Sequence, residues 1–317
     1  MVRLFTRRRA IAISAAAAGL ELLPLRGPVA AHDRLTSWRG VVLGAPASLQ
    51  IHHGDPAVAR RLIELAVSEA RRLEGIFSLY RPDSALVDLN RRGALAAPPG
   101  ELVDLLQLCQ RHHALTKGVF DPTVQVLWQL YSDHFANAGA GEGGPPQRVI
   151  DAALQRVGFG KVSVSRDRIV FVHRGMALTL NGIAQGYITD QVVALLRDHG
   201  IEHSLVDMGE IRAIGDRPDA TPWKIGITGS DDSITLVDQA VATSAGGGYR
   251  FDALGRFNHL FDPSTGRSPP PDRSVTVVMP TATDADALST AFSLVSEPQV
   301  RDIMRELSVG EVRFIPM

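Results

Sequence analysis

Leu178–Asp190 reads LTLNGIAQGYITD, a strand-like run that passes through Gly182 and Gly186 into a helical pattern. The segment is read as a strand over Ala177–Leu180 and a helix over Ala184–Asp198, closed by Gly200. Exposed backbone N–H groups at such an entrance suit a phosphate, and the glycines allow close approach. The spacing is neither the dinucleotide fingerprint nor a Walker loop, so a tight structural turn is the competing reading. Upstream, Pro56–Tyr80 forms a long helix with Asp55 as N-cap. Its apolar stripe is Leu62, Leu65, Ala66, Leu73, Ile76 and Phe77. Further helices are expected over Glu101–Thr116 and Arg148–Val157, and strands over Lys161–Ser165 and Arg168–Val172. Downstream come strands at Ser204–Met208, Ile211–Ile214, Trp223–Thr228 and Ser274–Met279. Helices from Asp284 and Pro298 and a strand at Val312–Ile315 complete the chain. Before Pro56, VVLGAPASLQIHH reads as two strands around a Gly-Ala-Pro turn. Long helices and antiparallel strands that do not alternate regularly give an α+β fold, one globular domain of mixed or antiparallel sheets with packed helices.

Composition limits the function. The 317 residues carry 33 Lys+Arg against 34 Asp+Glu and a single cysteine, Cys109. A balance near zero argues against nucleic acid as partner. One cysteine excludes an internal disulfide and a thiolate metal site, and Cys109 is read as a small core residue. No apolar run reaches the roughly 18 residues of a membrane span. Residues 1–31 differ from the rest. Arg7, Arg8 and Arg9 precede a weakly apolar, alanine-rich stretch, and Val29-Ala30-Ala31 offers the small residues of a cleavage site. This resembles a twin-arginine export signal, which implies a periplasmic protein folded before export. Removing it takes five arginines and Glu21, leaving residues 32–317 with 28 basic and 33 acidic groups, net −5.

Three more segments carry candidate chemistry. Asp286 and Thr290 lie four apart in TATDADALSTA, so on a helix they share a face and can offer oxygen ligands to a cation. The alternative is ordinary capping, with Thr283 or Asp284 at the N-cap. In NHLFDPSTGRSPP, His259 follows Phe257 by two on an alternating strand and is either a base near neutral pH or a structural histidine. In ATSAGGGYRF, three glycines form either an anion nest, with Thr243 and Ser244 as donors, or a hairpin loop. The paired histidines at 52–53 and 112–113 are read as surface residues.

The order and spacing of these segments resemble the FAD:protein FMN transferases, the ApbE family. The blocks that carry the resemblance are SLYRPDSALVDLN (78–90), GVFDPTVQVLW (118–128), NGIAQGYITD (181–190) and VDMGEIRAIG (206–215). ATSAGGGYRF, HLFDPSTG and DADALSTA extend it to about Phe292. The resemblance implies an α+β fold with FAD in a cleft between strands and helices. It implies Mg2+-dependent transfer of FMN from FAD to a Thr or Ser hydroxyl of an acceptor protein, with release of AMP. By position, Asp286, Thr290 and the Gly182 carbonyl match the family's metal ligands. Leu43, Tyr80, Val119, Phe120, Asp121, Thr179, Gln185 and Leu260 match FAD contacts, and His259 matches the histidine beside the diphosphate. The chain departs from the family pattern at Thr179 (usually Asp), Gln185 (often Lys) and Met208-Gly209-Glu210 (commonly Gly-Gly-Asp). Gln185 keeps hydrogen-bonding capacity without charge. Exported relatives of this kind accompany nitrous-oxide respiration, where the acceptor is a membrane redox flavoprotein. Two alternative readings also predict bound FAD: an exported FAD-binding or carrier protein without transferase activity, and an FAD pyrophosphatase giving FMN and AMP.

Overall fold

The computed structural model describes residues 20–22, 34–137, 139, 141, 143–227 and 231–316. The export and cleavage readings therefore lie outside the described residues, apart from Leu20–Leu22, which forms a short strand, β1. Strands β2 (Arg34–Val42) and β3 (Ala45–His53) pair in antiparallel register from Arg34↔His53 to Val42↔Ala45. Their turn is Leu43-Gly44, one residue before the expected Gly-Ala-Pro. Both residues have positive φ (49° and 79°), as a type I′ hairpin requires. A leucine there is strained by about 1 kcal/mol, and Glu74 of the next helix holds the turn by accepting the Leu43 N–H.

That helix, α1 (Pro56–Phe77), starts where Asp55 accepts the Ala57 N–H at 2.7 Å. Its buried face contains Leu62, Ala66, Leu73, Ile76 and Phe77 as expected, but Ile63 takes the place of Leu65, which is exposed. There follow α2 (Ala85–Arg92), β4 (Ala94–Ala96), α3 (Gly100–Leu115), α4 (Gln125–Ala136), α5 (Gln147–Leu154), β5 (Val162–Val164) and β6 (Arg168–Phe171). Next come α6 (Ala184–Asp198), β7 (Ser204–Asp207), β8 (Ile211–Ile214), β9 (Trp223–Ile227), β10 (Ser233–Leu236) and β11 (Ala240–Ala245). The chain ends with β12 (Arg273–Met279), α7 (Ala282–Phe292), α8 (Glu297–Leu307) and β13 (Glu311–Pro316). The α+β expectation holds: among the described residues all strand pairs are antiparallel, in a seven-stranded sheet ordered β13-β12-β11-β8-β7-β3-β2 and two three-stranded sheets, β1-β9-β10 and β4-β6-β5.

The large sheet is covered on both faces. Val275 and Val277 of β12 join the main core with α1, α6 and α7, while their neighbour Val278 joins Trp223, Ile225, Ile234 and Leu236 of the small sheet. Cys109 lies fully buried in α3, as expected of a core residue. Among the described residues no helix is long and apolar enough to cross a membrane.

Several local expectations are corrected. Ala177–Leu180 is extended but belongs to no sheet. The Leu178 N–H and C=O bond the Asn90 side-chain amide at 2.7 and 2.8 Å, and the Thr179 N–H bonds Pro122 O at 2.8 Å. One side chain thus stands in for a strand neighbour. The N-cap of α7 is Thr281, not Thr283 or Asp284, and its side chain accepts the Asp284 N–H. Residues 257–259 form no regular strand, only a bridge between Arg250 and Asn258. The 246–248 glycines turn after β11 without the positive φ values that a nest of alternating hand needs. His52 and His112 are buried rather than on the surface: His52 packs on Trp223, and His112 Nε2 lies 3.1 Å from Asp284 Oδ1.

Candidate active site

One cleft of about 1200 Å3, counting its part open to solvent, gathers all twelve candidate residues along its walls. Leu43 comes from the β2–β3 turn, Tyr80 from the loop after α1, and Val119, Phe120 and Asp121 from the loop after α3. Thr179 and Gly182 approach on the segment before α6, Gln185 sits in its first turn, and His259 and Leu260 lie between β11 and β12. Asp286 and Thr290 project from one face of α7.

The cation-like end is built where α6 meets α7. Gly186 has no side chain because one would sit 2.3 Å from Ala282 O, so only glycine lets the two backbones approach this closely. The contact brings the Gly186 N–H to Asp286 Oδ2 at 3.0 Å. In return, Asp190 of α6 accepts the Ala282 and Thr283 N–H groups, each at 2.9 Å, satisfying donors that a helix N-terminus leaves open. Arg212 pairs with the same carboxylate at 2.5 Å. A Cβ on Gly182 would lie 2.8 Å from Thr290 Oγ1, so the Gly182 backbone and the Thr290 hydroxyl face each other. Ser244 adds a hydroxyl 3.4 Å from Thr290 Oγ1.

Asp286 is 3 % exposed, and burial, with Asp190 nearby, pushes its pKa up to about 7 against the Gly186 hydrogen bond. Glu210 is also buried, its pKa raised by desolvation and by the Asp286 and Asp207 charges, and its Oε2 has no hydrogen-bond partner. Two buried carboxylates, of which Glu210 Oε2 has no partner, together with the Thr290 hydroxyl and the Gly182 backbone it faces, offer the oxygen donors that a hard divalent ion such as Mg2+ takes. The residues present therefore fit such an ion. Among the described residues no group of three or more His, Cys, Asp and Glu is placed to hold a metal ion.

Elsewhere in the cleft, burial pushes the His259 pKa down to about 4, leaving the ring neutral at physiological pH. Its Nδ1 lies 3.3 Å from the Tyr249 N and 3.4 Å from the Tyr249 O. The Asp121 carboxylate is engaged internally: Oδ1 accepts from the Thr123 N–H at 2.8 Å and Oδ2 from the Phe159 N–H at 2.9 Å. It shapes the loop rather than offering a free charge. Gln185 packs against Gly209, where a Cβ would be 2.3 Å from Nε2, and that amide nitrogen is buried without a partner. Thus two of the three departures from the family pattern, Gln185 and Met208-Gly209-Glu210, meet in space. Sequence reasoning missed Asp190 as the cap of another helix, because nothing local marks a side chain that caps a segment some ninety residues away. It also missed Asn181, Gln125 and Trp128 in the lining, although all three fall within the quoted blocks.

The ApbE family model matches residues 43–314. The FAD:protein FMN transferase of Treponema pallidum is 28% identical over 303 residues, covering 87% of this chain and 83% of its own length. That of Vibrio cholerae is 30% identical over 255 residues, covering 76% and 73%. Among solved structures, the apo flavinyl transferase ApbE of Pseudomonas stutzeri superposes with a TM-score of 0.76 at 26% identity, over 90% of this chain and 92% of its own. The ApbE protein of Thermotoga maritima gives 0.77 at 27% identity, over 89% and 94%. With a match that runs from the β2–β3 turn to the last strand and the same fold throughout, the chain belongs to the ApbE family of flavin transferases.

Proposed function

We propose that this enzyme is an FAD:protein FMN transferase that uses Mg2+ to move FMN from FAD onto a Thr or Ser hydroxyl of an acceptor protein, releasing AMP. The observation that carries this is the α6–α7 junction, where Asp286, Thr290 and Gly182 line one cleft with the residues that match FAD contacts. In the reaction, the hydroxyl oxygen forms a bond to the FMN phosphorus as the bond from that phosphorus to the bridging oxygen breaks. AMP leaves with the bridging oxygen. The hydroxyl proton passes to His259 Nε2, which is free to accept it when Nδ1–H points at Tyr249 O. The bound ion supplies neutralisation of charge on the phosphoryl oxygens. Leu43, Val119, Phe120 and Leu260 give apolar walls that exclude water, Tyr80 offers a flavin-contacting ring, and the unpaired Gln185 amide is a neutral donor for the cofactor. Thr179 contributes its hydroxyl where the family usually has a carboxylate.

Residues 1–31 support export by the twin-arginine route and action in the periplasm, on a membrane redox flavoprotein of the kind linked to nitrous-oxide respiration. Incubation with FAD, Mg2+ and a candidate acceptor tests the activity. A fluorescent acceptor with stoichiometric AMP supports it; AMP with free FMN alone indicates a pyrophosphatase, and intact FAD a carrier.

The pH dependence has a defined sign. Asp286 must be ionised to bind a cation, and its pKa lies near 7, so at subsaturating Mg2+ the rate should fall about tenfold per pH unit below 7. Raising Mg2+ should move this limb to lower pH, because a proton and a cation compete for the same oxygens. His259, near 4, stays neutral across that range and adds no limb. Rate profiles at two Mg2+ concentrations decide it: a limb near 7 that ignores Mg2+ would detach Asp286 from cation binding.

A further inference from the structure

The loop that brings Val119, Phe120 and Asp121 to the cleft leaves the end of α3 by a strained route. Lys117 and Gly118 both pass through left-handed backbone, at φ 54° and 90°. A lysine in that conformation persists only where its surroundings hold it. Three side chains at the end of α3 do so, and each takes a different part of Phe120. Thr116 Oγ1 accepts the Phe120 N–H at 2.9 Å while donating to the His112 carbonyl at 2.7 Å. His113 Nδ1 donates to the Phe120 carbonyl at 3.0 Å. The His112 ring meets the Phe120 ring with centroids 6.0 Å apart and planes inclined by 67°. We propose that Thr116 and His113 are positioning residues for FAD, which fix the Phe120 main chain and with it the cleft wall that the dinucleotide contacts. The inference rests on the transferase reading above, in which Val119, Phe120 and Asp121 contact FAD.

Phe120 is buried and lies in neither helix nor strand, so no ladder neighbour serves its N–H and C=O. Buried main-chain groups require partners, and here two side chains three residues apart supply both. Thr116 is itself buried, and its hydroxyl is used in both directions. His113 Nδ1 also lies 3.6 Å from Asp121 Oδ2, so one ring nitrogen faces two successive cleft residues. Neither Thr116 nor His113 lines the cleft, whereas Phe120 and Asp121 do. Their influence on a bound ligand must therefore pass through Phe120 and Asp121. A change at either position releases the loop while Asp286, Thr290 and His259 stay on their own elements. Binding of FAD is then the quantity that moves, and the chemical step is not.

Thr116→Val keeps the volume and removes the hydroxyl; Thr116→Ser keeps the hydroxyl and removes a methyl group. Thr116→Val should raise the FAD dissociation constant and the FAD KM about tenfold, with kcat at saturating FAD and Mg2+ unchanged. Thr116→Ser should bind FAD as wild type does. At His113, Asn places an amide nitrogen where Nδ1 stands and should keep the affinity. His113→Phe keeps a ring beside Phe159 but loses the donor, and should weaken FAD about tenfold. Leu102→Ala truncates a buried side chain about three turns earlier on α3. It should lower the melting temperature and leave the FAD dissociation constant unchanged, which separates positioning from general stability. Should Thr116→Val fail to fold, the two His113 variants decide alone. Wild-type FAD affinity in both Thr116→Val and His113→Phe overturns the assignment, as does a fall in kcat with affinity kept. Leu102→Ala weakening FAD as much as Thr116→Val overturns it too. Failure of the transferase reading shows separately, as wild type that binds FAD without labelling any acceptor.

Discussion

Asp286→Asn should lower Mg2+-dependent flavin transfer by on the order of 10³-fold or more, several kcal/mol of lost transition-state stabilisation, while making the metal-free protein more stable. The amide keeps the shape and can accept the Gly186 N–H as Asp286 Oδ2 does at 3.0 Å, so α6 and α7 stay in register. It cannot carry charge, and the cation end loses its carboxylate. The stability gain follows from the raised pKa. Folding moves this group from 3.8 to about 7, so burial disfavours its ionised form. The folded state then binds the extra proton, and stability from this group declines as pH rises from about 4 to 7. Asparagine carries no such penalty. The melting temperature of metal-free Asp286→Asn should exceed wild type by several degrees at pH 8, with the gap closing towards pH 4. Retained transfer would remove Asp286 from the cation site; lost transfer with a lower melting temperature at pH 8 would make it structural.

The residues of this cleft were legible in sequence because they travel in short blocks whose order resembles a family. Their geometry was not. Period-2 reading failed at Leu178–Leu180 because the neighbour that satisfies the backbone is the Asn90 side chain, distant in sequence and invisible to alternation. The buried positions of His52 and His112 depend on Trp223 and on Asp284, partners supplied by other segments. Helix α4 escaped notice because Val126, Leu127 and Tyr131 are buried while Trp128 and Gln125 face the cleft, so apolar residues surround it and blur its period. By contrast, α1 was readable almost to its ends, since 22 residues, a local Asp55 cap and a continuous stripe all speak within one segment. What stayed hidden was long-range pairing, and the catalytic geometry is made almost wholly of it.

Gly186 tests that dependence. Gly186→Ala adds one methyl group, and in the present geometry it would stand 2.3 Å from Ala282 O and 2.8 Å from Thr283 N, both backbone atoms. No rotamer relieves a clash with backbone; the helices must part. Separation lengthens the Gly186 N–H contact to Asp286 and withdraws Asp190 from the Ala282 and Thr283 N–H groups, undoing both ends of the clamp. Overpacking of this kind costs roughly 1–3 kcal/mol, and each buried donor left open adds about 1–3 kcal/mol. The expected result is a melting temperature lower by about 5–10 °C and a large rise in the Mg2+ concentration needed for half-maximal transfer. The comparison that isolates the clamp is Gly182→Ala, which meets the Thr290 side chain at 2.8 Å rather than backbone. A threonine can shift by a few tenths of an ångström, so that variant should lose cation affinity with less loss of stability. If Gly186→Ala melts like wild type and transfers flavin at normal Mg2+, the close α6–α7 contact does not set the position of Asp286.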